Sequence, residues 1–286
     1  MTAIPLPNQP AITEAAVWER LATDPIPLLH TAEGRARLKA IYSEYTAVAH
    51  RHRVPIFLSA PTWRANRNNA QPGDNARALE FIAPLSPHHA ALMGPREDCY
   101  TPALALSRDE ARGFHEWQAR ELASAPLVVL ATFPAISEAL GILDVLEAPA
   151  IVSFVLTAQG TLLDGTPLHD AIAEIDASAP RPPVSYWINC THPRTALAGL
   201  RAAAAQGPIS RIFGVQANSS PVDPRHFAIT NDFAADSPAT FAEGLLTIHR
   251  EFSIPVLGGC CGTRAEHLEA IASQLAPPRS PVPRVP

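Results

Sequence analysis

Four cysteines in 286 residues are too few for a disulfide framework and fit a reduced compartment better. Basic charge is also scarce. Lys and Arg number 22 against 27 Asp and Glu, and the net charge of −5 leaves no cationic patch of the kind nucleic acid needs. Met1 to Pro10 carry neither a basic stretch nor an apolar core, so no secretory signal is read there. No apolar run reaches membrane-spanning length. These absences point to a cytoplasmic protein whose partners are neither nucleic acid nor membrane, and they leave a homo-oligomer open. No Gly-x-Gly-x-x-Gly turn follows any apolar run, which weighs against a dinucleotide-binding sheet. Neither a domain boundary nor a short-period repeat is visible.

What the chain does have is 47% apolar residues and 30 prolines that fall between the apolar runs. Short apolar runs alternate with longer amphipathic stretches. The runs read as strands over Ile26–Leu29, Pro55–Ser59, Ala91–Gly94, Leu127–Ala131, Ile151–Leu156, Val184–Asn189, Ile209–Val215 and Ile254–Leu257. The stretches read as helices near Gly34–His52, Gly73–Ala83, Asp109–Ala125, Ile136–Glu147, Leu168–Ser178, Pro193–Gln206, Pro238–Phe252 and Thr263–Leu275. A strand followed each time by a helix, eight times over, is the count of a (β/α)8 TIM barrel in a single α/β domain. The barrel is expected over 15–276, with a loose arm over 1–14 and a proline-rich tail over 277–286.

The most informative stretch is Ile254-Pro255-Val256-Leu257-Gly258-Gly259-Cys260-Cys261-Gly262-Thr263. It reads as a buried strand, a tight turn allowed by two glycines, and a helix opened by Thr263 and Glu266 at capping-box spacing. The two cysteines then sit beside the positive end of a helix, a position that lowers a thiol's pKa. Barrel chemistry gathers at the carboxyl ends of the strands. There the sequence offers His30, Thr62, Arg64, Thr132, Ser153, Asn189, Asn218 and Ser219 as substrate-binding candidates. It also offers Cys190 at the end of the sixth strand. Barrel closure brings that end close to Cys260 and Cys261. Three thiolates on one face make a tetrahedral zinc (Zn2+) site with its fourth position open, the arrangement of a catalytic rather than a structural site. Such a site deprotonates an incoming thiol and suits alkyl transfer to sulfur more than hydrolysis, which leans on His and carboxylate ligands. No catalytic residue beyond the metal site is singled out. A permanent disulfide among the three is incompatible with this reading.

At these residues the sequence resembles the homocysteine S-methyltransferase family, over about Ile26 to Leu275. The most specific match is Gly258-Gly259-Cys260-Cys261-Gly262-Thr263 with Glu266-His267. Ile188-Asn189-Cys190-Thr191-His192-Pro193 is similar to the segment with the family's other zinc cysteine. Ser153-Phe154 with Asp164-Gly165-Thr166, Phe114-His115-x-x-Gln118, Thr132-x-Pro134 with Glu138, and Asn218-Ser219 fit the same pattern. The resemblance implies a (β/α)8 barrel whose zinc activates a thiol, usually homocysteine, for methylation.

Two departures bear on the acceptor. Where the family shows Asp-Gly-Ala-x-Gly at the first strand, the matching run is His30-Thr31-Ala32-Glu33-Gly34. Where it shows a glutamate before the fourth-strand threonine, this chain has Ala131. Those carboxylates are the ones expected to hold an ammonium, so an acceptor thiol with an acid group, facing Arg64 and His30, and no amine in the usual place is weighed against homocysteine itself. The barrel uses up the chain, so the donor is expected to be a small sulfonium, S-methylmethionine or S-adenosylmethionine. Trp63, Phe133 and Trp187 are candidates for a cation–π wall around it. The partners are thus a small thiol acceptor and a methyl donor. A degenerate zinc- or thiol-binding barrel, and another zinc enzyme acting on thio compounds, stay open. Cys99 reads as a fortuitous free thiol.

Overall fold

The computed structural model describes residues 4–21, 23–226 and 235–275. Eight parallel strands close into a barrel in sequence order. They are β1 (Ala11–Thr13), β2 (Ile56–Ser59), β3 (His88–Met93), β4 (Val128–Phe133), β5 (Ala150–Phe154), β6 (Ser185–Asn189), β7 (Ile212–Ala217) and β8 (Val256–Gly259). The first strand pairs with both β2 and β8, which seals the ring. Around it lie α1 (Trp18–Leu21), α2 (Ala32–His52), α3 (Asp74–Ile82), α4 (Arg108–Glu121), α5 (Ile136–Leu143), α6 (Leu168–Ser178), α7 (Pro193–Ala204), α8 (Pro238–Phe252) and α9 (Ala265–Leu275). Among the described residues no helix is long and apolar enough to cross a membrane.

The period-two alternation of a strand sorts its side chains into two cores. Phe57, Val129, Ala131, Ile151 and Trp187 point into the barrel and pack on one another. Their neighbours Leu58, Val128, Leu130, Val152 and Ile188 face the helices. Trp187 fills the barrel centre edge-on to Phe57, with ring centroids 5.0 Å apart. Gly214 on β7 leaves room for it, since a Cβ there would lie 2.7 Å from the indole. Helix starts follow local chemistry. Ser107 and Glu110 form a capping box for α4, and Ser237 accepts from the Thr240 amide at the start of α8.

The first barrel strand is not where the sequence pattern puts it. Pro27–His30, overlapping the run Ile26–Leu29 expected as a strand, is a 3-10 turn. Asp24 starts it by accepting from the Ile26 amide, 2.9 Å, and Pro27 takes its first position. Thr31 then caps α2 by accepting from the Gly34 amide, 3.0 Å. The strand lies earlier, at Ala11–Thr13, so the loose arm expected over 1–14 becomes barrel at Ala11. The proline-rich tail expected at 277–286 lies outside the described residues.

Candidate metal and substrate site

A cavity of about 250 Å³ opens at the carboxyl ends of the strands. On its wall Cys190 follows β6, and Cys260 and Cys261 follow β8. One sulfur from each lies within 4.8 Å of the other two. Backbone bonds hold the three in place. Cys190 N donates to Gln216 O at 2.9 Å and Cys260 N to Ala217 O at 2.7 Å. Asn218 Nδ2 donates to Cys190 O at 2.9 Å, Ser219 N to Cys261 O at 3.0 Å, and Thr263 Oγ1 to Cys260 O at 2.6 Å. Cys190 at φ 50° and Thr132 at φ 70° both border this cavity in the left-handed region that costs non-glycine residues energy.

The glycines before the cysteines act by close approach rather than by turning. Gly258 and Gly259 end β8. A Cβ at Gly258 would meet Thr13 Oγ1 at 1.8 Å, and one at Gly259 would meet Thr263 Oγ1 at 2.2 Å. The turn itself falls on Gly262, φ +72°, whose amide donates to Glu19 Oε2 at 2.6 Å. The expected capping box does not form, because the Thr263 hydroxyl is committed to Cys260 O. Nor is the Cys261 thiol lowered, as its place beside a helix end predicts. Desolvation pushes the Cys261 thiol up to about 11, and the Glu19 carboxylate adds to the rise. Cys261 is exposed as a residue and lines the cavity. A bound divalent cation reverses this balance, since a coordinated thiol is deprotonated outright.

Cys190 and Cys260 are joined as a disulfide, with Cα atoms 5.6 Å apart, which contradicts the expectation of three free thiols. In that state the pair cannot ligate metal. Reduced, the donor set fits zinc. Tetrahedral Zn–S bonds of about 2.3 Å place sulfurs roughly 3.8 Å apart, and Cys260 and Cys261 Sγ lie 3.9 Å apart. The adjoining cavity leaves space for a fourth ligand.

Of the other residues expected to bind substrate, Thr132 and Asn189 line the cavity. Ser153 stands behind them and donates to Asn189 Oδ1 at 2.7 Å, while Asn189 Nδ2 donates to Thr132 Oγ1 at 2.6 Å. Asn218 and Ser219 brace the cysteine loops instead of facing the cavity. Three others are placed elsewhere. His30 is half-exposed beside α3, its Nε2 2.9 Å from Asp74 Oδ1. Thr62 is buried between strands, donating to Leu92 O and accepting from Leu92 N. Arg64 donates to the carbonyls of Arg96 and Glu97 and lies over the outer face of Trp63, 4.7 Å from its centroid. None of the three lines the cavity. Phe133 and Trp187 are fully buried and away from the cavity lining, so of the expected aromatic wall only Trp63 stands. Trp18 joins it, edge-on with centroids 6.0 Å apart.

Residues that the sequence reading missed complete the cavity. Glu14, at the end of β1, is 6% exposed. Its Oε2 accepts from the Ser59 amide at 3.1 Å, and burial raises its carboxyl from 4.5 to about 7. It stands where His30 was expected, so the carboxylate at the first strand is present. Ala131 does leave a gap at the fourth, and Trp63 covers it, donating from Nε1 to Ala131 O at 3.0 Å. Tyr42, Glu19, Gln216, Tyr100 and Cys99 also line the cavity. Burial pushes the Cys99 thiol up to about 12. The signal for Glu14 was an apolar run ending on a carboxylate, too short to stand out beside the prolines. His192 turns away from the sulfurs, capping α7 through Nδ1 and pairing with Asp236 Oδ2 at 3.0 Å.

Comparison with known proteins bears on the fold and the family. A curated relative, homocysteine S-methyltransferase YbgG of Bacillus subtilis (strain 168), is 29% identical over 199 residues, 68% of this chain. The match spans 60% of that relative's length. Two structures of the homocysteine methyltransferase MmuM from Escherichia coli share the fold. The metallated form has a TM-score of 0.71 at 18% identity, covering 93% of this chain and 97% of that one. The oxidized form has a TM-score of 0.68 at 18% identity, covering 92% and 95%. A sequence model described as homocysteine S-methyltransferase matches residues 38–275, most of the barrel, and the chain belongs to that family.

Proposed function

We propose that this chain, in its reduced form, is a zinc-dependent S-methyltransferase that moves a methyl group from a small sulfonium donor to a thiol acceptor of the homocysteine type. The observation that carries the reading is the convergence of Cys190, Cys260 and Cys261 within 4.8 Å on the wall of a cavity that also holds a buried carboxylate. Zinc held by the three thiolates supplies the Lewis acidity that keeps a guest thiol deprotonated at neutral pH.

The chain's own residues do the rest. Glu14 is a buried carboxylate without a cationic partner in the cavity, and an acceptor ammonium supplies one. This restores homocysteine as the favoured acceptor over a thiol without an amine, because the acidic residue thought missing at the first strand is present. The ammonium meets one carboxylate rather than two, since Ala131 offers none. Among the described residues lining the cavity none is Lys, Arg or His, so the acceptor's acid group is left to neutral donors such as Asn189 and Gln216. Trp18 and Trp63 offer indole faces and edges to a sulfonium, and Glu19 adds negative charge at the mouth. In the transfer the acceptor sulfur's lone pair forms the new S–C bond. The donor's methyl–sulfur bond breaks with its electron pair left on the donor sulfur, which departs as a neutral thioether. The absence of histidine from the described lining weighs against a water-activating hydrolase.

The test is methyl transfer from S-methylmethionine and S-adenosylmethionine to homocysteine by reduced, zinc-supplemented protein. Methionine formation that is abolished by Cys260→Ala supports the reading. A zinc-loaded protein that forms no methylated thiol from any donor–acceptor pair sinks it. The alternative is a barrel that binds thiols without turnover. Homocysteine binding by titration, without product under reducing conditions, would select that alternative.

A further inference from the structure

The alternation of β4 breaks at one residue. Leu130 faces the helices and Ala131 the barrel interior, so period two would turn Thr132 outward again. It does not turn outward. The register against β5 shifts between Leu130 and Phe133, and Thr132 takes φ 70°. A β-branched residue in that region is an outlier that the surrounding structure has to enforce. The irregularity brings two successive side chains, Ala131 and Thr132, to the cavity, while Phe133 packs with the outer core. Re-aiming a side chain beside a site is a recurrent use of such a bulge.

What arrives at the cavity is an oriented donor. Ser153 Oγ donates to Asn189 Oδ1 at 2.7 Å, and Asn189 Nδ2 donates to Thr132 Oγ1 at 2.6 Å. All three side chains are buried, Thr132 with 4% exposure. The Thr132 oxygen accepts on the Asn189 side, so its own proton points away from Asn189. Among the described residues no acceptor takes that proton. A buried hydroxyl in this condition is completed by an acceptor group on a guest. The position of Thr132 identifies that group. In the closed ring β4 stands opposite β8, which leads to Cys260 and Cys261, and away from β1, which leads to Glu14. A guest held by its sulfur at the cysteines and by its ammonium at Glu14 has a carboxylate left to place. We propose that Thr132 is a specificity-determining residue that donates its hydroxyl hydrogen bond to the acceptor's carboxylate, so that the site takes an amino-acid thiol in preference to a simple aminothiol. This rests on the methyltransferase reading above and names the acceptor class within it. Asn189 then serves the carboxylate by holding Thr132.

The probes are homocysteine and its decarboxylated analogue, an aminopropanethiol. Each is titrated by calorimetry into reduced, zinc-loaded protein without methyl donor, and zinc content is measured on the same samples. Wild type is expected to bind homocysteine roughly ten- to a hundredfold more tightly than the analogue, the range set by a hydrogen bond to a charged group. Thr132→Val keeps the β-branch and loses the hydroxyl. It is expected to lose that same factor toward homocysteine and to bind the analogue within about twofold of wild type. Thr132→Ser keeps the hydroxyl and is expected to return homocysteine to within about threefold of wild type. Equal weakening of both thiols by Thr132→Val overturns the proposal alone, because it marks a distorted cavity. So does a valine variant that keeps its affinity for homocysteine, or a serine variant no tighter than the valine one. A wild type that binds the two thiols equally also overturns it, and that result needs no variant to fold. A wild type that holds no zinc, or binds neither thiol when zinc-loaded, overturns the functional reading and this proposal with it.

Discussion

Replacing Glu14 by glutamine separates the role of this carboxylate in stability from its role in binding. The side chain is 6% exposed, and burial is the largest cause of its rise from 4.5 to about 7. A carboxyl with a raised folded pKa binds its proton more tightly in the folded chain than in the unfolded one. Between pH 4.5 and 7 the folded state therefore carries the extra proton, and stability falls as pH rises through that window. At about 1.4 kcal/mol for each tenfold in proton affinity, the loss is on the order of 3 kcal/mol above pH 7. The amide of the Glu14→Gln variant fills the same space, can still accept from the Ser59 amide, and never ionises. The assay is urea denaturation of reduced wild type and Glu14→Gln in parallel from pH 4.5 to 8.5, taking the difference so that other titrations cancel. The two proteins should be about equally stable at the acid end, and the variant more stable by about 2–3 kcal/mol at pH 8. Homocysteine should reverse the order. The carboxylate that destabilises the empty barrel anchors the ammonium, so the variant's KM is expected to rise roughly ten- to a hundredfold at pH 8. A stability difference that does not change with pH would refute the burial argument, and an unchanged KM would refute the ammonium assignment.

Other outcomes follow from the same geometry. Gly258→Ala should destabilise by roughly 1–3 kcal/mol, read as a lower urea midpoint, because its Cβ meets Thr13 at 1.8 Å and pries β1 from β8. Oxidised protein should take up no zinc in dialysis, and dithiothreitol should restore binding, since the Cys190–Cys260 bond occupies two of the three donors. Asn218→Ala should keep the fold but weaken zinc roughly ten- to a hundredfold by competition with a chelator, because the Cys190 carbonyl loses its brace at 2.9 Å.

The sequence showed the barrel and its sulfur cluster because both are locally encoded. β4, β5 and β6 are apolar runs of five or six residues with every position buried. Cys190 and the Cys260-Cys261 pair each lie at the end of such a run. The first strand was hidden for the opposite reason. Three residues cannot display alternation, and the partners that make Ala11–Thr13 a strand, β2 and β8, are remote in the chain. Ile26–Leu29 had the composition of a strand, but Asp24 and Pro27 wound it into a turn. That one displacement carried the acidic position from Glu14 to His30 and made the cavity look short of two carboxylates. Thr62 and Arg64 sit at a strand end as expected, yet their side chains bond to the backbone of Leu92, Arg96 and Glu97 instead of lining the cavity. Tyr100, Trp18 and Glu19 reach the cavity from loop and short-helix segments whose paths no local pattern fixes.

The most direct test is X-ray absorption at the zinc edge on reduced, metal-loaded protein, before and after homocysteine is added. Three sulfur neighbours at about 2.3 Å, rising to four with homocysteine, are expected from Cys190, Cys260, Cys261 and the guest thiol. A first shell dominated by nitrogen or oxygen, or a sulfur count that homocysteine leaves unchanged, would contradict the account.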